Sequence, residues 1–191
     1  MQIVNLAKAP DTDFIKEVEN ESGQRISACY QCGNCTAGCP CASVYDLQVN
    51  QIMRALQLGQ KDLILSSKSI WRCLTCSTCS ARCPNNIDVA LVMDVLRKKA
   101  AAAGHVQDKP VQTFWKFFLL MLRRFGRSWE LGTMGAYMLR SGRVTTDVDL
   151  APQALAKRKL PFLPHNMSGN PHVAAIFQRF DEQCRREGRQ A

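Results

Sequence analysis

The sequence predicts an all-α fold, and three observations carry that prediction. Apolar residues recur at helical spacing over most of the chain, capping and stopping residues bracket those stretches, and the long connection between two cysteine-rich runs shows no strand alternation. Asp11 and Thr12 cap a short first helix with an apolar face of Phe14, Ile15 and Val18, and Gly23 ends it. The first cysteine-rich run follows. Next, Ile52, Ala55, Leu56 and Gly59 keep helical spacing, with Asn50 as the expected cap and Gly59 as the stop. Residues 62–65 add a turn of helix capped by Asp62, and residues 66–69 read as a loop. After the second cysteine-rich run, Asp88 caps an amphipathic helix with a buried stripe of Leu91, Val92, Val95 and Leu96. Arg97, Lys98 and Lys99 fall in its later turns, where they suit the helix dipole, and Gly104 stops it.

From Pro110 the composition changes. Phe114, Trp115, Phe117, Phe118, Leu119, Met121 and Leu122 make a helix apolar on most of its circumference, which needs more than one packing neighbour. Ser128 is the expected cap of a further helix carrying Trp129, Leu131, Met134, Tyr137 and Met138, which ends near Gly142. A stretch with Pro152, Pro161 and Pro164 reads as extended chain crossing a surface. Asn170 and Pro171 then start a last helix with Val173, Ile176, Phe177, Phe180 and Cys184 on one stripe, and the basic end beyond it is expected to fray.

The two runs are copies of one pattern, C-x2-C-x2-C-x3-C-P. Cys29, Cys32, Cys35 and Cys39 precede Pro40, and Cys73, Cys76, Cys79 and Cys83 precede Pro84. This is the thiolate spacing that holds a [4Fe–4S] cube in two-cluster ferredoxins, where the fourth cysteine of each run serves the other cluster. Applied here, Cys29, Cys32 and Cys35 pair with Cys83 on one cube, and Cys73, Cys76 and Cys79 pair with Cys39 on the other. Pro40 and Pro84 fix the backbone after the fourth ligand, and Gly33 and Gly38 let it approach the sulfurs. The expectation is two [4Fe–4S] clusters held by all eight cysteines, with no open iron position and no catalytic residue. Structural zinc is the competing use of a C-x2-C pair, but zinc takes four ligands from two such pairs rather than two runs of four. The compact β-rich ferredoxins keep their motifs close together. Here 33 helix-like residues lie between Cys39 and Cys73, so the α-helical ferredoxin-like fold is expected.

The 191 residues carry a formal charge of +9. Eight thiolates on two oxidised cubes would bring the loaded chain nearer about +5. The excess is lopsided: residues 1–96 hold 8 Lys/Arg against 9 Asp/Glu, and residues 97–191 hold 17 against 7. A basic half is either a solvated helical surface or a docking face for an acidic partner. No nucleic-acid motif accompanies it. The longest apolar run, 114–122, is nine residues with Lys116 inside, against about twenty for a membrane span. The first residues lack a basic region and an apolar block, so no signal peptide, reduced thiols and a cytoplasmic location are expected. No Gly-rich dinucleotide loop and no Ser/His/Asp set is visible, so a substrate site is not expected.

Taken with the residues around the runs, the pattern resembles the C subunit of heterodisulfide reductase. The matching elements are the two cysteine runs, the linker from Gln51 to Gly59, Ile70 and Trp71 just before Cys73, Arg82 before Cys83 and Pro84, and then Ile87, Asp88 and Val89. The resemblance covers residues 25–100 and loosens beyond. The helical C-terminal extension over 106–191 either packs on the cluster domain or docks a partner, which its proline-containing stretch favours, and the resemblance itself implies a two-cluster helical domain over 1–105. It further implies an electron-relay subunit of a hetero-oligomeric oxidoreductase, placed between two partners of that complex. One is the A subunit, which bears flavin and iron–sulfur centres; the other is the B subunit, which is catalytic and reduces the disulfide. A relay subunit of another, respiratory-type oxidoreductase, a free-standing ferredoxin and a zinc-bearing interaction module are the alternatives. In succinate dehydrogenase and fumarate reductase a plant-type iron–sulfur domain precedes this fold; no cysteine precedes Cys29 here, which counts against that reading.

Outside the ligand set, Cys41 and Cys184 read as small buried side chains. His105, His165 and His172 read as surface residues, and Trp71 as packing that keeps water off the second run. Arg72 and Arg82 flank that run, where positive charge would favour the reduced cube.

Overall fold

A computed structural model describes residues 10–142, 151–157, 161–164 and 170–186. Those residues form helices and turns only, with no strand among them. The chain divides into two compact units, Met1–Asp108 and Lys109–Ala191.

In the first unit, α1 (Thr12–Ser22) starts where the Asp11 carboxylate accepts the Phe14 N–H at 2.9 Å, and it ends on left-handed Gly23. A 3-10 turn (Ile26–Ala28) leads into the first cysteine loop and α2 (Asn34–Ala37). A second 3-10 turn (Ala42–Val44) leads to α3 (Val49–Gln57) and α4 (Lys61–Leu65). Then come α5 (Ser69–Arg72), the second cysteine loop, α6 (Thr78–Ala81) and α7 (Val89–Ala102). Phe14 and Val18 of α1, Ile52, Met53 and Leu56 of α3, Ile70 and Trp71 of α5, and Val92, Met93 and Leu96 of α7 build one core. Six of the motif cysteines pack half-buried on it, while Cys32 and Cys76, the second of each run, are exposed.

Several local expectations change. Asn50 is not the cap of α3. Gln48 holds that position, and the Gln51 side chain accepts its N–H at 2.8 Å. Asn50 lies in the first turn instead, where its side chain accepts from the Thr36 hydroxyl at 2.8 Å. Asp62 is likewise in the first turn of α4, beyond a Gln60 cap. Ser69 opens α5 rather than closing a loop. On α7, Asp88 caps as expected, accepting the Leu91 N–H at 3.1 Å, and Gly104 lies just past the end with a positive φ. Leu91 itself is 38% exposed. The buried stripe runs through Val89, Ala90, Val92, Met93, Val95, Leu96 and Ala100, one step round the helix from the predicted one. Lys99 reaches across to α1 and donates to Glu17 (2.9 Å) and Glu21 (2.7 Å).

In the second unit, α8 (Lys109–Phe125) packs on both α9 (Glu130–Ser141) and α11 (Asn170–Arg186), as its broad apolar surface requires. Phe114 meets Tyr137 edge-on at 6.0 Å, and Arg123 pairs with Asp181 at 2.9 Å. Ser128 is one residue outside the cap of α9, a place Trp129 takes. Residues 151–156 form a short helix, α10 (Ala151–Ala156), instead of extended chain. Pro152 fits its first turn because proline there forfeits no helical hydrogen bond. On α11, Ile176 and Phe180 are 58% and 56% exposed, so the predicted stripe is only partly covered, whereas Cys184 is buried. His105 and His172 are exposed. His165 and the basic end beyond Arg186 lie outside the described residues. No helix among the described residues is long and apolar enough to cross a membrane.

Gly59 leaves no room for a side chain. Its φ is +61°, and an added Cβ would strike the backbone of Pro10 and Asp11, which crosses it through an Asp11 N–H to Gly59 carbonyl bond of 3.2 Å. Left-handed strain of about 1–2 kcal/mol adds to the overlap with backbone that has little freedom to yield. Gly59→Ala is therefore expected to destabilise the first unit by about 2 kcal/mol or more, read from the urea midpoint.

Candidate metal centre

The two cysteine loops repeat one backbone path. Gln31 and Thr75, each immediately before the second cysteine of its run, have φ of 65° and 50°. Gly33 and Ser77, each following the second cysteine, have φ of 81° and 58°. A left-handed conformation is costly for a residue with a Cβ, and most of all for a β-branched one such as Thr75. Such residues persist where the surrounding structure over-determines them. A short helix follows each loop, α2 or α6, and a hydroxyl pins it. Thr36 Oγ1 accepts the Asn50 N–H at 3.0 Å, and Ser80 Oγ accepts the Ala90 N–H at 3.1 Å while donating to Asp88 at 2.6 Å.

The loops face each other through α2 and α6. Gly38 belongs to this contact: its φ is ordinary, and a Cβ there would collide with the Arg82 side chain. It makes room for Arg82, not for a close approach to sulfur. Asn85 Nδ2 donates to the Ala28 carbonyl, and Gln24 Oε1 accepts the Asp88 N–H at 2.8 Å, so each run is tied to the approach of the other.

Two pockets result. Cys29, Cys32, Cys35 and Cys83 line one, with Met53, Ile87 and Val89 behind them. Cys39, Cys73, Cys76 and Cys79 line the other, against Val49, Ala90 and Met93. Each pocket thus draws three thiols from one run and the fourth from the other. Among the described residues no three or more His, Cys, Asp or Glu side chains are placed to hold a single metal ion. The donor chemistry of each pocket, four motif thiols and no ligating side chain of His, Asp or Glu, is that of a [4Fe–4S] group. Cys41 is half-buried and lines the second pocket, so it is not simply core filler. Tyr45 lines it too, and burial, then the Cys73 and Cys39 thiols, push its hydroxyl far above the usual phenol range.

The thiols differ in readiness to ionise. Burial pushes Cys35 up, and burial pushes Cys79 up to about 11. Cys76 is exposed, and the Thr78 hydroxyl, 3.4 Å from its sulfur, draws it below the usual thiol value. Iron ligation requires thiolates, so filling the pockets releases protons.

Sequence reading missed the groups that hold the loops. Gln57 Nε2 donates to the carbonyls of Ile26 and Cys29, and the Arg97 guanidinium donates to those of Ile70 and Cys73. Both sit late in helices whose polar face gives no local cue to so distant a target. Arg72 pairs with Asp108 at 2.9 Å and donates to the Val44 carbonyl, so its charge is offset. Trp71 is buried in the core as expected, although its Nε1 has no hydrogen-bond partner. Asp46 anchors the start of α5: it accepts from the Ser67 hydroxyl (2.7 Å), the Lys68 N–H (2.9 Å) and the Ser69 N–H (3.0 Å).

Two facing pockets of four thiols, on an all-helical frame, are the architecture of a two-cluster iron–sulfur protein. Residues 28–88 match the 4Fe-4S dicluster domain. Beyond the domain, the chain is similar to curated proteins that share one designation, the C subunit of heterodisulfide reductase. It is 36% identical over 94 residues, covering 49% of this chain and 51% of the relative, to the C subunit of the H(2):CoB-CoM heterodisulfide,ferredoxin reductase of Methanothermobacter thermautotrophicus. It is 40% identical over 81 residues, 42% of this chain and 43% of the relative, to the iron-sulfur C 2 subunit of the CoB--CoM heterodisulfide reductase of Methanocaldococcus jannaschii. A protein of Archaeoglobus profundus named for its likeness to the same C subunit is 33% identical over 120 residues, 59% of this chain and 64% of the relative. The chain spans about half the length of the first of these relatives, 51%. The resemblance read from the cysteine runs and their linker holds.

Asp46 gives the site a pH signature. Burial would raise its carboxyl, but the hydrogen bonds from Ser69, Lys68 and Ser67 outweigh burial and hold it at about 2. Asp88 is lowered as well, chiefly by the Ser80 hydroxyl. A carboxyl with a depressed folded pKa stabilises fully above its unfolded value of about 3.9, and loses that contribution as pH falls through the folded value. Stability is therefore expected to decline from about pH 4 towards 2. In Asp46→Asn the decline should be shallower, from a starting stability lower by about 1 kcal/mol, a figure reduced for the solvent exposure of the site. Urea titrations at stepped pH measure both.

Proposed function

We propose that this chain is the electron-relay subunit of a heterodisulfide reductase-like complex. In this reading Cys29, Cys32, Cys35 and Cys83 hold one [4Fe–4S] cluster and Cys73, Cys76, Cys79 and Cys39 the other. The observation that carries it is the exchange of fourth cysteines between the pockets, which sets the two sites side by side in one small body. Each cluster, when bound, supplies a store for one electron. The protein's own part is to fix thiolate direction through the strained loops, back the pockets with apolar side chains and leave one thiol of each run, Cys32 or Cys76, at the surface.

The relatives' shared designation supports partners of the same kind. The chain would take electrons from a flavin-bearing partner and pass them to the partner that reduces the disulfide, with no substrate site of its own. The second unit favours this over a free-standing ferredoxin. It carries exposed Trp115, Leu119, Leu120, Leu139, Ile176 and Phe180, a larger set of exposed apolar side chains than a diffusing carrier needs. The basic balance of residues 97–191 suits an acidic face on the docking partner.

Two experiments test the reading. In anaerobically reconstituted chain, Cys39→Ala should damage the cluster of the Cys73 loop, and Cys83→Ala that of the Cys29 loop, followed by cluster-resolved EPR. Loss confined to the mutated run's own loop contradicts the crossed assignment. Cys184→Ala, in the second unit, should leave iron and sulfide content unchanged; loss of iron would give that buried thiol a role that this account denies it.

A further inference from the structure

Each cysteine loop is held through the same two backbone carbonyls, but by side chains of different charge. At the first loop, Gln57 Nε2 donates to Ile26 (3.1 Å) and Cys29 (2.7 Å). At the second, Arg97 donates through Nε to Ile70 (2.8 Å) and through Nη2 to Cys73 (2.7 Å). Ile26 and Ile70 stand at one position, three residues before the first cysteine of each run. The brace is thus repeated, while a neutral amide at one site becomes a permanently charged guanidinium at the other.

The charged groups directly beside the two braces do not cancel this contrast. Beside Gln57, Glu19 accepts the Ile26 N–H at 2.7 Å and Arg54 donates to Gln57 Oε1 at 3.2 Å, one negative and one positive group. Beside Arg97, Asp94 lies 3.8 Å away but is shared with Lys98 at 3.1 Å, which leaves a positive excess. Arg72 is matched by Asp108, and Asp46 lies at the far end of α5. The Arg97 side chain is only 17% exposed, so water screens it weakly.

We infer that Arg97 makes the pocket of Cys39, Cys73, Cys76 and Cys79 the electron sink of the pair. The inference rests on the two-cluster reading above. Reduction adds one negative charge to a cluster, and a nearby fixed positive charge stabilises that state. With clusters held by the two sets of cysteines, one electron would pass from the Cys29 pocket, whose cluster would be oxidised, to the Cys73 pocket, whose cluster would be reduced, and no bond or proton would change place. Arg97 is a positioning residue here, bracing the loop and setting the potential without touching the metal.

The test is an EPR-monitored redox titration of the full chain after anaerobic reconstitution, with iron and sulfide measured on every sample. Arg97→Gln, which copies the Gln57 brace, should lower the higher of the two midpoints, with about a tenfold fall in its reduction equilibrium constant, or 59 mV for a one-electron couple. The other midpoint should stay in place, and Arg97→Lys should keep most of the wild-type value. The inference is overturned if Arg97→Gln leaves both midpoints in place or moves the lower one, or if Lys shifts the higher midpoint as far as Gln does. Should Arg97→Gln lose iron, Gln57→Lys decides: it must raise the lower midpoint and narrow the gap, and an unmoved midpoint overturns the inference. Wild-type chain that takes up no iron sinks the two-cluster reading itself; iron-loaded chain with unmoved midpoints sinks only the role of Arg97.

Discussion

Everything in the first unit answers to one constraint: each pocket takes its fourth thiol from the opposite run. A short loop offers three thiols to one side of a group, and the next cysteine in the chain points elsewhere. The exchange of Cys39 and Cys83 between pockets forces the loops together, so α2 must pack on α6, Gly38 must yield to Arg82, and Asn85 must reach back to Ala28. The core of α1, α3, α4, α5 and α7 then serves as a platform. Met53 and Val89 back one pocket, Val49 and Met93 the other, so the same two helices, α3 and α7, back both sites.

The repeat is close in backbone and loose in chemistry. Positive φ recurs at matched positions, and Thr36 and Ser80 do the same task. The braces differ, Gln57 against Arg97, and Tyr45 and Cys41 stand only at the second pocket. The backbone similarity follows from the repeated cysteine spacing. The differences lie where a side chain alters charge or polarity around a pocket without moving its thiols, and the proposed electron sink rests on that contrast.

Much of this was legible in the sequence because it is local. Asp11 and Asp88 cap helices through bonds to residues three ahead, Gly23 and Gly104 stop them, and the cysteine spacing announces the loops. What was not legible depends on pairing across the chain. Asn50 looked like a cap, but its partner is Thr36 in another element. Leu91 looked buried by periodicity, yet the face of α7 that meets α1, α4, α5 and α6 is rotated one step from it. Asp46, Gln57 and Arg97 carry no motif, and their targets lie more than twenty residues away. In the second unit Pro152 suggested extended chain, though it also fits the first turn of α10.

The central claim is the crossed ligation of two cubes. The most direct measurement is diffraction at the iron absorption edge from crystals of the anaerobically loaded chain. The account predicts two four-iron centres, one bonded by Cys29, Cys32, Cys35 and Cys83 and the other by Cys73, Cys76, Cys79 and Cys39. A single centre, isolated metal ions, or two centres each bonded by the four cysteines of one run would contradict it.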